Sequence, residues 1–290
     1  MSELANNRAR LLALTLWRDV AQLLILSHNA AKVGRLATLL QVTYGNRVMT
    51  ATAAQRGLLS YNGRPDMTLP RCYFCGQIAG RPDCDLIAQM LPGEKYVRRV
   101  LCESESFAVI PSLGPLAEGH VLLCTREHLR SFAGLDPDCH SEYQAIKVRL
   151  RHELEAVYGK ATLVFEHGMA IEGDRVPCTV DHAHMHFLPL GQTLSSGFIP
   201  SIDWRVFDGS FTEANRITAG REYLLVETAD GISRIAPSGA AGFESQFLRK
   251  AITAYAGLAR KWNWREAPDP RAAHLAWERF TMQTEEVSGL

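Results

Sequence analysis

The chain has 290 residues, 47% of them hydrophobic and 21% charged, a composition that excludes a disordered or fibrous protein. Lys+Arg and Asp+Glu both total 31, so no global field would hold a nucleic acid or an acidic membrane, and any anion must be held by a local site. Seven irregularly spaced cysteines, and no signal-peptide pattern in residues 1–30, point to a reducing, cytoplasmic compartment.

In chain order, the first signal is "LLALTLWRDVAQLLIL". Leu16, Trp17, Val20, Leu23 and Leu24 recur at helical spacing, and Arg18 and Asp19 break the apolar run short of the roughly 20 residues a membrane span needs. A packing helix of an N-terminal helical extension, residues 1–70, is expected. "YNGRPDMTLP" at 61–70 concentrates turn formers and marks a domain boundary. Beyond it, "FAVIPS" (107–112), "HVLLCT" (120–125) and "ATLVFEH" (161–167) read as strands around one helix over 137–158. Asp136 can cap that helix, Pro137 suits its first turn, and the stripe Tyr143, Ile146, Leu150, Leu154, Val157 ends before Gly159. Strands that outnumber helices predict an α+β domain with an antiparallel sheet, residues 71–200. Residues 201–290 form a C-terminal hairpin-plus-helix extension: "YLLVET" and "ISRIAP" flank Ala-Asp-Gly, and a helix is expected over about 244–259.

The chemistry concentrates in "DHAHMHFLP", 181–189. Side chains of a strand alternate faces, so His182, His184 and His186 share one side while Ala183, Met185 and Phe187 take the other. One metal held by all three is disfavoured by reach: at about 3.3 Å per residue the outer α-carbons lie about 13 Å apart, whereas an imidazole nitrogen bonds zinc at about 2.0 Å and its own reach is limited. One histidine on a metal and another doing chemistry remains open. Cys72 and Cys75 in "CYFC" form a Cys-x-x-Cys pair, which suits either a zinc knuckle or a redox pair.

"HAHMHFL" resembles the His-x-His-x-His-x-x signature, with apolar x, of the histidine triad superfamily of nucleotide hydrolases and transferases. "EGHVLLCTREH" (118–128) is similar to the family's Gly-His, apolar strand and downstream His, and "CYFC" to the Cys-x-x-Cys of its zinc-bearing members, among them galactose-1-phosphate uridylyltransferases. The resemblance covers about 71–190 and implies the antiparallel histidine triad fold. It implies that His184 attacks the α-phosphorus of a nucleotide to give a covalent nucleotidyl-histidine. It further implies that His186 donates to a phosphate oxygen, that Thr179 hydrogen-bonds the phosphate or leaving oxygen, and that His120 lies near the triad. A neutral imidazole is a competent nucleophile near pH 7 once its other nitrogen is held, and a flanking strand carbonyl could hold it. By the same resemblance one structural zinc is expected on Cys72, Cys75, His128 and His182, with Cys84, Cys102, Cys124 and Cys139 left as core or surface thiols.

The match departs from the family pattern in two places. Cys178 stands where many relatives carry Gln, and Ser112 where nucleoside-binding relatives carry Asp or Asn for the ribose hydroxyls. Ser112, with Glu166, His167 and Gly168 of "FEHG", is accordingly the expected nucleotide-binding set. Gln246 and Arg249, one turn apart in "ESQFLRK", could present donors to an anion, but solvent exposure is the expectation. The leading function is a hydrolase that cleaves a nucleoside 5′-phosphoryl bond. The alternatives are a nucleotidyltransferase or phosphorylase passing the group to phosphate or a sugar phosphate, and a zinc-stabilised binding protein without turnover. The expected partner is a small nucleotide or nucleotide conjugate, not nucleic acid and not a membrane. A homodimer stays open, with the tryptophans of "KWNWRE" (261–266) serving an interface or the core.

Overall fold

A computed structural model describes residues 72–170, 181–190 and 202–288, with side chains described as far as residue 280. The helix expected near Leu16–Leu24, together with Cys178 and Thr179, lies outside these residues.

The short helices α1 (Tyr73–Ile78) and α2 (Leu86–Met90) lead into β1 (Cys102–Glu103), β2 (Phe107–Pro111) and β3 (Val121–Thr125). Then follow α3 (His140–Tyr158), β4 (Thr162–Gly168), β5 (His184–Pro189), β6 (Arg205–Phe207) and α4 (Phe211–Thr218). The chain continues through β7 (Tyr223–Glu227), β8 (Ser233–Pro237), α5 (Phe247–Tyr255) and α6 (Pro270–Ser288). The eight strands form one sheet in the order β1-β2-β3-β5-β4-β7-β8-β6, antiparallel throughout. With its helices this makes an α+β fold, the class expected from strands that outnumber helices. The β7–β8 hairpin around Ala-Asp-Gly continues the same sheet by pairing with β4, Phe165 opposite Val226.

Alternation along the strands gives the sheet two apolar faces. Val109, Leu123, Val164, Met185, Phe187 and Tyr223 point to one, where α3 packs with Tyr143, Leu150 and Leu154. Leu163, Phe165, Leu188, Leu224 and Val226 point to the other, under Leu248 and Ile252 of α5, and Ala108, Ile110, Leu122 and Cys124 extend that face toward α1. Burying a face of aliphatic and aromatic side chains stabilises the sheet by roughly 25 cal/mol per Å² of apolar surface removed from water.

The helix expected over 137–158 begins with a single 3-10 turn, Pro137–Cys139, in which Asp136 accepts from the Asp138 amide; the α-helix proper starts at His140. It ends where expected, with Gly159 in the left-handed region at φ 62°. Lys147 and Arg151, on its sheet-facing side, both bond the Glu227 carboxylate of β7, each at 2.8 Å, and Arg151 also donates to the carbonyls of Thr162 and Thr228. The helix expected over 244–259 is shorter, because Gln246 takes the left-handed region, φ 57°, just before Phe247.

Candidate active site

β5 is bracketed by β3 and β4, with Leu122 and Phe165 as the partners of His186 and Cys124 as that of His184. His184 and His186 therefore project from the middle of the sheet, on the face that carries Phe165, while Met185 and Phe187 are sealed in the opposite core. The His186 ring stacks on Phe165 with centroids 4.4 Å apart, and the His184 ring lies 5.0 Å from that of His186.

The hydrogen bonds determine which nitrogens carry protons. His184 Nδ1 lies 2.7 Å from the His182 carbonyl and must donate to it, which turns the Nε2 lone pair outward. The Leu116 amide donates to His120 Nδ1 at 3.1 Å, so the proton of neutral His120 is on Nε2, and it reaches His186 Nδ1 at 3.0 Å. His186 in turn carries its own proton on Nε2. This relay holds only while the rings are neutral, and burial keeps them so: desolvation lowers the pKa of His184 to about 4 and those of His120 and His186 well below 6.5.

A cavity opens over the rings of His184 and His186. α1 supplies Tyr73 and Phe74 to its wall, the loop after β2 supplies Ser112 and Gly114, and β4 supplies His167. Phe74 meets the His184 ring edge-on at 5.2 Å. His167 is held through Nε2 by the Glu222 carboxylate at 2.7 Å. The remaining wall comes from the C-terminal segment: Gln246, Leu248, Arg249 and Trp264. Gln246 and Arg249, expected in solvent, are 7% and 5% exposed, because α5 packs its apolar side on the sheet and carries them down into the cavity.

Of the expected nucleotide-binding set, Ser112 and His167 line the cavity. Glu166 and Gly168 do not: they point to the opposite face, where the Glu166 carboxylate accepts from the Phe132 amide and the Tyr223 hydroxyl. Desolvation pushes the Glu166 pKa up to about 7. A Cβ on Gly168 would lie 2.2 Å from the Tyr223 ring, so that glycine makes room for packing.

A second cluster lies at the start of β5. Cys72, Cys75, His128 and His182 bring their donor atoms within 4.8 Å of one another. His182 Nδ1 is 3.4 Å from Cys72 Sγ and 3.3 Å from Cys75 Sγ, and His128 Nδ1 is 3.4 Å from Cys75 Sγ. Sulfur at about 2.3 Å and nitrogen at about 2.0 Å from a tetrahedral ion would be separated by about 3.5 Å, so the set fits a single metal ion. His182 also donates from Nε2 to the Thr125 carbonyl at 2.7 Å, which leaves Nδ1 unprotonated and turned to the sulfurs. The hydrogen bond from Cys75, with the His182 imidazole beside it, holds the Cys72 thiol far below its ordinary pKa.

Residues 94–193 match the family described as HIT domain. The match spans about a third of the chain. Among solved structures, the chain is similar to a hypothetical histidine triad nucleotide-binding protein from Sulfolobus tokodaii, at 21% identity over 41% of this chain and 68% of that one, TM-score 0.30. It is also similar to a HIT family hydrolase from Clostridium thermocellum, at 21% identity over 42% and 92%, TM-score 0.28. A DUF4931 family protein from Bacillus cereus matches at 12% identity over 63% and 99%, TM-score 0.35. No curated protein matches the chain. The HIT domain match ends at residue 193, so Gln246, Arg249 and Trp264 reach the cavity from outside it.

Proposed function

We propose that the protein is a nucleotide hydrolase that cleaves a nucleoside 5′-phosphoryl bond through a covalent nucleotidyl-histidine on His184. The observation that carries this reading is the hydrogen bond from His184 Nδ1 to the His182 carbonyl. It fixes the tautomer whose Nε2 lone pair opens into the cavity, on a ring that burial keeps neutral. In the first step Nε2 forms a bond to phosphorus while the bond to the leaving group breaks, and the leaving group departs with that electron pair. Water then attacks phosphorus and gives up one proton to solvent, the N–P bond breaks, its pair returns to Nε2 and a nucleoside 5′-monophosphate is released.

His186 supports the pentacoordinate species by donating from Nε2 to a non-bridging oxygen. His120 acts through it as a positioning residue, since its own Nε2–H occupies His186 Nδ1. Thr179 is assigned a contact to the phosphate or leaving oxygen, and Ser112 and His167 contacts to the nucleotide. We assign zinc to the Cys72, Cys75, His128 and His182 cluster; a bound ion would tie α1 to the first residue of the triad, so its contribution would be to folding. The chemistry rests on His184 and His186.

Turnover of adenine, guanine, uracil and cytosine nucleotide conjugates by wild type and by His184→Ala tests this. Release of the monophosphate by wild type alone supports hydrolysis at His184. A product that changes when phosphate or a sugar phosphate is added would mark transfer instead, and full activity in His184→Ala would remove the mechanism.

A further inference from the structure

The cavity has a cationic element that the HIT domain does not provide. Arg249 lies in the first turn of α5, is 5% exposed and lines the same cavity as His184 and His186. Two carbonyls from separate loops hold its guanidinium: Nε donates to Trp262 O at 2.9 Å and Nη2 to Gly114 O at 2.6 Å. The loops close tightly around it, since a Cβ on Gly114 would lie 2.3 Å from Trp264 Cβ. Among the described residues lining the cavity, Arg249 is the single guanidinium or ammonium group, and none is a carboxylate. Its charge reaches the catalytic rings, where it disfavours the protonated forms of His120 and His186.

A buried guanidinium, fixed in place and lining the same cavity as neutral imidazoles, makes that cavity electropositive, and its charge attracts phosphate oxygens. We infer that Arg249, carried on a helix outside the HIT domain, is the anion-recognising residue of the His184 cavity and selects ligands that bear a phosphate over the same molecules without one. This assignment rests on the reading of the cavity as a nucleotide site. It makes the C-terminal segment part of the active site and gives the chain a specificity element of its own.

Calorimetric titration of the full chain with the four nucleoside 5′-monophosphates and the four corresponding nucleosides tests it, on wild type, Arg249→Gln and Arg249→Lys. Wild type is expected to prefer a monophosphate to its nucleoside. Arg249→Gln is expected to lose about tenfold to a hundredfold in monophosphate affinity while nucleoside affinity stays within about twofold. Arg249→Lys, which keeps the charge and loses the planar group that the two carbonyls hold in place, should fall between them. Equal loss for both ligand classes would overturn the assignment in favour of a structural staple, and so would unchanged monophosphate affinity in Arg249→Gln. Wild type binding no nucleotide at all would overturn the nucleotide-site reading and the assignment with it.

Discussion

A proton count at three imidazoles carries most of the functional argument. His184 gives its Nδ1 proton to the His182 carbonyl, and His186 accepts at Nδ1 from His120, so one ring presents a lone pair and its neighbour an N–H. The rings therefore differ in role because they differ in hydrogen-bond partner. Replacing His186 by Ala should lower kcat by about 10²–10³, the usual cost of one lost donor to a developing oxyanion. His120→Asn should cost less than His186→Ala in kcat and leave KM close to wild type, because the ring acts through His186. A steady-state comparison of the three chains checks both, and a loss in His120→Asn confined to KM would contradict the positioning role.

Most elements carried by a local pattern were legible in the sequence; burial made by contacts between distant segments was not. β2, β3, β4, the β7–β8 hairpin and α3 follow from apolar runs, a turn tripeptide and a capped stripe. α4 and α6 escaped, although each begins on a readable cap: Ser210 accepts from the Glu213 amide, and Asp269 accepts from Ala272 just before Pro270. The burial of Arg249 had no local signature, since it depends on the carbonyls of Gly114 and Trp262. The Glu166 side chain is a different case: period-two alternation along the strand read over 161–167 puts Glu166 and His167 on opposite faces, so the two could not both line the cavity. The Cys-x-x-Cys turn is tied at both ends, its sulfurs to His128 and His182 and its Tyr73 and Phe74 to the cavity wall. Cys72→Ala, or wild type treated with a strong chelator, should melt several degrees below untreated wild type, while any activity of the folded fraction persists. Elemental analysis should find about one zinc per chain in wild type; metal-free protein with an unchanged melting temperature would remove the structural role.

For the whole molecule, stability should depend on pH through the same buried groups. Native His120, His184 and His186 resist protonation that the unfolded chain accepts below pH 6.5, so the unfolded state binds more protons and stability falls as pH drops. Glu166 acts in the opposite sense: between pH 4.5 and about 7 the native carboxyl keeps a proton that the unfolded one releases. Each net proton changes the slope by about 1.4 kcal/mol per pH unit, so Glu166→Gln should steepen the acid loss between pH 4.5 and 6.5 in denaturant melts. Equal slopes for wild type and the variant would contradict the raised Glu166 pKa. The clamp of α3 onto β7 can be tested at the same scale. Glu227→Ala leaves the Lys147 ammonium buried without its carboxylate and should cost about 3–5 kcal/mol of unfolding free energy, measured in urea.

Intact-protein mass spectrometry on wild type and His184→Ala, quenched within seconds of mixing with nucleotide conjugates, tests the central claim most directly. A mass increase of one nucleotidyl group is expected on wild type, mapped by peptide fragmentation to the imidazole at position 184 and missing from the variant. An adduct on any other residue, or turnover without an adduct on wild type even under single-turnover quenching, would contradict it.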